Sequence, residues 1–530
     1  MATLQALSAL DHSPLGQYEM TTPEQIQQAL QQSRSAAQQW QQLTVKQRLR
    51  KLARLNGLLI EHADSICQLL SSCSGKVATE ALLAELIPVL DLNRYYQAHA
   101  QAVLQSRPVA CSPLTYPFAT AEINRQAHGV VAIITPWNYP LQLTLSPLLT
   151  ALVAGNSVIF KLSELSLPVT DLILFLCQQL NLPEGLVQTV IGDGQTGQAL
   201  IAAGPDLVFF TGSLETGRAV MQAAAQHPIP VILELGGKDA MLVLADANLE
   251  RACHAALYGA FGNSGQVCMS LERIYVHQNC YAEFLQQLVS GIGKLKAADG
   301  IEGDYGPLCT EAQFNRLSQQ YDNAIALGAQ ASGPLIRTGN FLQPVILWNV
   351  TPEMQIMQEE SFGPIVAVMA FDNHQQAVEL INACQYGLNG SIFSRDTRLA
   401  KSLANQLELG NWAINDVIKN AGHAGLPFGG VKHSGFGRYR GAEGLRQFSR
   451  TVSGLTNRST LAKEPNWFPY NTERYELFKG HIDFVYGPGN FLVRMCRNWR
   501  TLLSFLVYAK PNLKQVWHNL IQLFPWKQDY

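Results

Sequence analysis

The feature that most constrains this chain is a series of short, almost continuously apolar segments alternating with helical ones between residues 129 and 237. GVVAIITP (129–136), SVIFKLS (157–163), LVQTVIG (186–192), LVFFTGS (207–213) and VILELGG (231–237) are rich in β-branched residues, while 141–154, 165–180, 195–203 and 215–226 carry helical patterning. A strand that is apolar at successive positions, and not merely at every second one, has to be buried on both faces. That pattern predicts a parallel sheet covered by helices on each side. Such sheets bind ligands beyond the carboxyl ends of their strands, so the polar clusters that follow these strands are where chemistry is expected. A second α/β stretch, with DAMLVL, RIYVH, a helix at 281–296 and PIVAVMAF, runs to about residue 436. Residues 22–106 predict helices, opened by Thr22-Pro23-Glu24-Gln25, an N-cap with proline at the first helical position and glutamine three residues after the cap.

Composition narrows the function classes. With 530 residues, 47% of them hydrophobic, the chain can bury the cores of several domains. A net charge of −2 excludes a polyanion binder, so no nucleic-acid partner is expected. The ten cysteines form no CxxC and have no histidine pair beside them, which predicts neither a metal centre nor a disulfide framework. The N-terminus lacks the cationic and apolar regions of a secretory signal, and the expected location is cytoplasmic. The tail differs from the rest. In FLVRMCRNWRTLLSFLVY (491–508), Arg494, Arg497 and Arg500 recur every third residue and would form one stripe on a helix. With the aromatic and apolar residues that continue to Trp526, this predicts a basic amphipathic element over 491–526. It would lie either peripherally on the cytoplasmic face of a membrane or against protein.

Several clusters carry candidate chemistry. Cys268 follows Gly262-Asn263-Ser264-Gly265-Gln266-Val267, a segment that reads as a turn whose backbone donors would favour a thiolate. A thiolate nucleophile needs an oxyanion donor and a base to release the acyl group. Asn138, between prolines in Thr135-Pro136-Trp137-Asn138-Tyr139-Pro140, is a candidate donor, and Glu234, before Leu235-Gly236-Gly237, a candidate base. Phe209-Phe210-Thr211-Gly212-Ser213, with Gly217, offers a helix start with free N–H groups. Gly192-Asp193-Gly194-Gln195-Thr196-Gly197 matches GxGxxG but reads as an ordinary strand-to-helix turn. Taken singly, each of these has a turn or strand-end explanation.

Taken together, PWNYP (136–140), KLSE (161–164), FFTGS (209–213), LELGGK (233–238), NSGQVC (263–268), EESFGP (359–364) and LPFGGVKHSGFGRY (426–439) resemble the aldehyde dehydrogenase superfamily in order and spacing over roughly residues 20–456. The pattern is most similar to the class 3 branch of fatty, aromatic and apocarotenoid aldehyde dehydrogenases. The resemblance implies a Rossmann-like parallel-sheet cofactor domain, a second α/β catalytic domain, a small β bridging element and a helical C-terminal extension. The expected boundaries are 1–107 for the helical part of the cofactor domain, 108–127 for a bridging hairpin and 128–235 for the NAD-binding part. They continue with 236–436 for the catalytic domain, 437–456 for a bridging and oligomerisation segment and 457–530 for the extension. The resemblance implies Cys268 as nucleophile, Glu234 as general base and Asn138 as oxyanion donor. It assigns Trp137, Lys161, Glu164, Gly212, Ser213, Gly217, Glu360 and Phe362 to the cofactor, with NAD preferred and NADP possible, and it implies a homodimer. The expected reaction is oxidation of a lipophilic aldehyde to its acid through a thiohemiacetal and a thioester. A CoA-acylating enzyme and a silent binding protein on the same fold are the alternatives. Leu162 stands where the pattern usually has proline, Arg440 where it usually has histidine and Leu445 where it usually has phenylalanine.

Overall fold

A computed structural model describes residues 2–112, 115–116, 118–298 and 302–509. The chain divides into two compact units, residues 1–104 with 127–450, and residues 105–126 with 451–530.

The first unit contains two large sheets. One has six strands in the order Gly435–Phe436, Val231–Glu234, Leu207–Thr211, Val130–Thr135, Ser157–Leu162 and Val187–Thr189, all parallel except the first. The apolar runs are buried on both faces, as their patterning predicts. Val131, Ile133, Phe160 and Phe209 enter one core, while Val130, Ala132, Ile159, Val208 and Phe210 enter the other. The chain lays down Val130–Thr135, Ser157–Leu162 and Val187–Thr189 in one direction, then returns so that Leu207–Thr211 pairs on the other side of Val130–Thr135. Ligands bind at such a reversal of strand order, and the segments leaving these two strands are PWNYP and Gly212-Ser213. The helix Pro140–Ala154 begins with proline, ends at Gly155 in the left-handed region (φ 103°) and is buried along its whole length.

The other large sheet has seven strands, centred on Leu271–His277 and Asp239–Val243 and parallel except at the edge strand Gln330–Ala331. It too is covered on both faces, with Ala240, Leu242 and Tyr275 in one core and Met241, Val243 and Ile274 in the other. The N-terminal helix Pro23–Gln41 carries the expected capping box, with Gln25 Oε1 accepting from Thr22 N at 2.8 Å. The patterning did not reveal the hairpin of Thr3–Leu7 and Pro14–Glu19 that precedes it. Its register shifts at Ala6/Leu7, and it is too short and polar to show alternation.

The second unit holds a three-stranded sheet of Arg107–Val109, Ala119–Ala127 and Ser449–Asn457, followed by helices Thr472–Tyr486, Phe491–Arg497 and Trp499–Ala509. The tail departs from the single helix expected over 491–508. It breaks at Asn498, whose side chain donates to Asp483 Oδ2 at 2.6 Å. Arg497 makes a bidentate pair with Asp483 at 2.6 Å, and Arg494 donates to Val485 O at 2.6 Å. Two of the three arginines are therefore engaged by the preceding helix and do not line an outward stripe. The remainder of the expected 491–526 element, from 510 on, lies outside the described residues. Among the described residues no helix is long and apolar enough to cross a membrane.

Candidate active site

Cys268 is placed by a strained turn. The helix Leu249–Phe261 stops at Gly262, and Asn263, Ser264 and Gly265 then follow with φ of 48°, 56° and 71°. A Cβ on Gly265 would come within 2.2 Å of Gly363 O, so only glycine fits there. Non-glycine residues in the left-handed region cost energy and persist where the surroundings hold them. Here Ser264 Oγ donates to Gly306 O at 2.5 Å, Asn263 N donates to Glu80 Oε2 at 3.1 Å and Gln266 Nε2 donates to Pro307 O at 3.1 Å.

The turn delivers Cys268 into a cavity of about 510 Å³ whose walls include Leu83, Ile87, Leu143, Val417 and Phe428, and into which Glu234 also faces. Glu234 is 3% exposed, and neither carboxyl oxygen has a hydrogen-bond partner among the described residues. Burial pushes its carboxyl well above the ordinary carboxylate range, against the opposing pull of Arg438 and Arg440. Its strand is pinned from the far end of the sequence. Gly435–Phe436 pairs with it antiparallel, Leu235 N donates to Ser434 O at 3.1 Å and Ser434 Oγ donates to Gly236 O at 2.7 Å. This accounts for the glycine-rich segment near 435: a Cβ on Gly435 would collide with Leu233 O.

The Cys268 thiol is not eased toward thiolate by its turn. Burial, followed by the charges of Asp239, Glu234 and Glu360, raises its pKa, and its own backbone N–H only partly offsets them. The expectation from the turn is corrected for that reason: burial, joined by the carboxyl groups, outweighs the backbone donor in this cleft.

Asn138 is not among the residues that line the cavity; it is 2% exposed, with Nδ2 donating to Gln266 O at 3.0 Å and Oδ1 without a partner among the described residues. Its loop rests on charges that sequence patterning missed. Lys76 Nζ donates to Asn138 O at 2.7 Å and pairs with Glu85 at 2.5 Å, both side chains fully buried. Glu85 Oε2 accepts from Leu141 N and Gln142 N at 2.9 and 3.1 Å, capping the first turn of the buried helix. Glu80 accepts from Tyr139 Oη at 2.8 Å. Glu85 belongs to a π-helical turn, Ala81–Leu86, next to the cavity residues Leu83 and Ala84. π-Helical turns concentrate at functional sites. Lys and Glu in a helical stretch ordinarily mark a solvated face, so nothing local signalled this burial.

Of the residues assigned to a cofactor, Trp137, Lys161, Glu164, Gly212 and Ser213 lie at or just beyond strand ends. Gly217 lies in the helix Leu214–Ala224, and Glu360 and Phe362 lie in the loop before the strand Ile365–Phe371. Lys161 is 5% exposed, and among the described residues its ammonium has only Leu162 O, at 3.3 Å, as an acceptor. Glu164 stands exposed at the head of the turn Glu164–Ser166. Ser213 caps the helix Leu214–Ala224, accepting from Thr216 N at 3.2 Å, and Gly217 lets that helix approach Leu235, which a Cβ would meet at 2.6 Å. Gly212 similarly leaves room for the Phe210 ring. Glu360 accepts from Gly237 N at 3.0 Å, and its pKa is raised to about 7 by burial and by Glu272. Trp137 and Phe362 meet edge to face at 5.8 Å. Phe362, with φ of 54°, is held by Glu272, which accepts from Phe362 N at 2.9 Å and pairs with the buried Lys238 at 2.5 Å. Gly192–Gly197 forms a capped turn, in which Asp193 Oδ1 accepts from Gln195 N and Thr196 N, and Gly197 packs beside Lys161.

A thiol and a carboxyl thus face one apolar cavity, and a buried cation, an exposed carboxylate and a capped helix N-terminus stand at the strand ends of a parallel sheet. The chain matches the aldehyde dehydrogenase family over residues 2–453. It belongs to that family. A 4,4'-diapolycopene aldehyde oxidase of a Methylomonas species is 56% identical over 529 residues, covering 100% of both chains. The peroxisomal aminoaldehyde dehydrogenase 1 of Pisum sativum is 35% identical over 78% of this chain and 84% of its own. Among solved structures, a betaine aldehyde dehydrogenase of Staphylococcus aureus in complex with NAD+ superposes with a TM-score of 0.82 at 31% identity, covering 88% of this chain and 94% of that one. As an aldehyde dehydrogenase the chain is an oxidoreductase that takes aldehydes to acids using NAD(P).

Proposed function

We propose that this aldehyde dehydrogenase oxidises a long lipophilic aldehyde through a covalent intermediate on Cys268. The observation that carries this reading is that Cys268 and Glu234 line one cavity, with the buried Asn138 amide bonded to Gln266 O, two residues before Cys268. Deprotonated Cys268 Sγ adds to the carbonyl carbon, and the free N–H of Asn138 Nδ2, with the Cys268 backbone N–H, holds the developing oxyanion. Loss of one such donor typically costs about 10²–10³ in rate. Trp137, Lys161, Glu164, Gly212, Ser213, Gly217, Glu360 and Phe362 would hold NAD(P), the glycines and the Ser213 cap presenting a helix N-terminus to its phosphates. When bound, NAD(P) supplies the hydride acceptor for the oxidation. Glu234, once ionised, takes a proton from the water that attacks the thioester.

The lipophilic substrate class is supported by the apolar cavity walls and by the aldehyde named in the Methylomonas relative. Exposed Leu83, Ile87 and Tyr258 border the cavity, so a chain longer than the cavity would leave it over apolar surface. NAD is preferred over NADP because Glu164 disfavours a 2′-phosphate. A homodimer through the exposed strands Arg107–Val109 and Ser449–Asn457 completes the reading. Cys268→Ala should abolish NADH formation, and Glu234→Gln should give one burst of NADH and then stall. Steady turnover by either variant refutes the assignment.

A further inference from the structure

Arg440 is 4% exposed and lines the cavity that holds Cys268 and Glu234. Its Nε and Nη1 are buried and have no hydrogen-bonding or ion-pairing partner among the described residues. The rings of Tyr439 and Phe428 lie against it, at 5.0 and 5.9 Å from the guanidinium carbon, and its charge acts on the Glu234 carboxyl across the cavity. The neighbouring Arg438 behaves differently, donating to Gly430 O at 2.9 Å and Gly437 O at 2.6 Å. Arg440 is also held in the left-handed region, φ 67°, where its carbonyl accepts from Gly444 N at 2.8 Å and Gly441 N donates to Ala424 O at 3.0 Å. A strained backbone therefore holds Arg440 in the wall of a largely apolar chamber, with two of its guanidinium nitrogens buried and unpartnered among the described residues. Burying a guanidinium without a partner is costly, and the cost is relieved when an anion enters.

The reaction itself makes that anion. In hydrolysis of the thioester the water hydroxyl joins the acyl carbon and its proton goes to Glu234. The C–S bond then breaks with its electron pair on Sγ, and the acid's own proton passes to that thiolate. Negative charge that began on Glu234 ends on the product carboxylate, within the same cavity.

We propose that Arg440 is a carboxylate-binding residue of this cavity, receiving the acid that the reaction releases. The inference rests on the reading of the cavity as the site of aldehyde oxidation. It makes the chamber selective for charge as well as for chain: a lipophilic carboxylate binds more tightly than a neutral amide of the same length, and the product inhibits.

Calorimetric titration of the full-length protein with dodecanoate and with dodecanamide separates these terms. The wild type should favour the acid. R440M should lose roughly tenfold or more of acid affinity relative to amide, as expected for a hydrogen bond between charged groups. R440K, which keeps the charge but not the bidentate fork, should fall between them. If R440M fails to fold, R440K decides on the same ratio. An acid-to-amide ratio unchanged by either substitution overturns the proposal while leaving the oxidation site intact. Failure of the wild type to bind either probe removes the lipophilic-substrate reading and this inference with it.

Discussion

Replacing Lys76 by methionine tests how the Asn138 loop is held. Lys76 Nζ is 2.5 Å from Glu85 and 2.7 Å from Asn138 O, with both charged side chains fully buried. Removing one partner of a buried pair leaves an uncompensated charge and typically costs about 3–5 kcal/mol. Glu85 would still cap Leu141 and Gln142, so its charge cannot simply turn out to solvent without uncapping the helix. Lys76→Met combined with Glu85→Gln removes the stranded charge and keeps an oxygen for the two N–H donors. The thermal midpoints should therefore rank wild type, then the double variant, then Lys76→Met alone. Activity should follow the loop. With Asn138 O retaining, among the described residues, only Asn263 Nδ2 at 3.3 Å, the amide proposed to hold the oxyanion loses orientation. Aldehyde kcat/KM should then fall by roughly 10–10², less than outright deletion of such a donor. A double variant no more stable than the single one, or a single variant with wild-type kcat/KM, refutes the reasoning.

Four other outcomes follow from the geometry. Cys268 and Glu234 are both raised above their ordinary ranges, and both act in their deprotonated forms, so turnover should climb as pH rises from neutral and should not plateau in the acidic range; a flat pH–rate profile contradicts this. Glu360 titrates near 7, so cofactor KM should increase as pH falls through that value and the dependence should vanish in Glu360→Gln. In Gly236→Ala the new Cβ would sit 2.3 Å from Glu360 Oε2, forcing that flexible carboxylate away; cofactor affinity should fall more than thermal stability, whereas Gly237→Ala, 2.4 Å from Cys268 O, strikes backbone and should lower both. Because Arg494 and Arg497 are engaged by the helix before them, liposome co-sedimentation should change little in Arg500→Gln; loss of binding in that variant restores a membrane role for the tail.

The turns and strand ends that carry the candidate site were legible because they depend on local backbone requirements. The Asn263-Ser264-Gly265 turn needs three successive positive φ angles, Gly237 faces the Cys268 carbonyl at a distance no side chain tolerates, and a side chain at Gly236 would displace the Glu360 carboxylate. Such demands leave small and polar residues at fixed spacing in the sequence. The strands were legible because burial on both faces removes alternation. What could not be read is what holds these pieces together. Lys76, Glu80 and Glu85 meet Asn138, Tyr139 and Asn263 across long separations in the chain. Ser434 and Gly435 reach back to the strand of Glu234. Nor did the arginine spacing in the tail reveal that Asp483 would turn Arg497 inward.

The same long-range packing decides the electrostatics of the cleft. Three carboxyl groups, those of Glu234, Asp239 and Glu360, each raised by burial, also raise the pKa of the Cys268 thiol. Lys76 is paired with Glu85 and Lys238 with Glu272, while Arg438 is spent on carbonyls, so none of these cations is left to receive a new anion. A resting cavity of this kind, with Glu234 and Asp239 pushed by burial toward their protonated forms, carries less negative charge than its carboxyl groups would otherwise give it. It suits an apolar, uncharged aldehyde and resists accumulating the acid made from it, except at a cation that remains unpaired. Arg440 is such a cation, and its place beside Phe428 and Tyr439 puts the charge of the product against the same walls that accept the substrate chain.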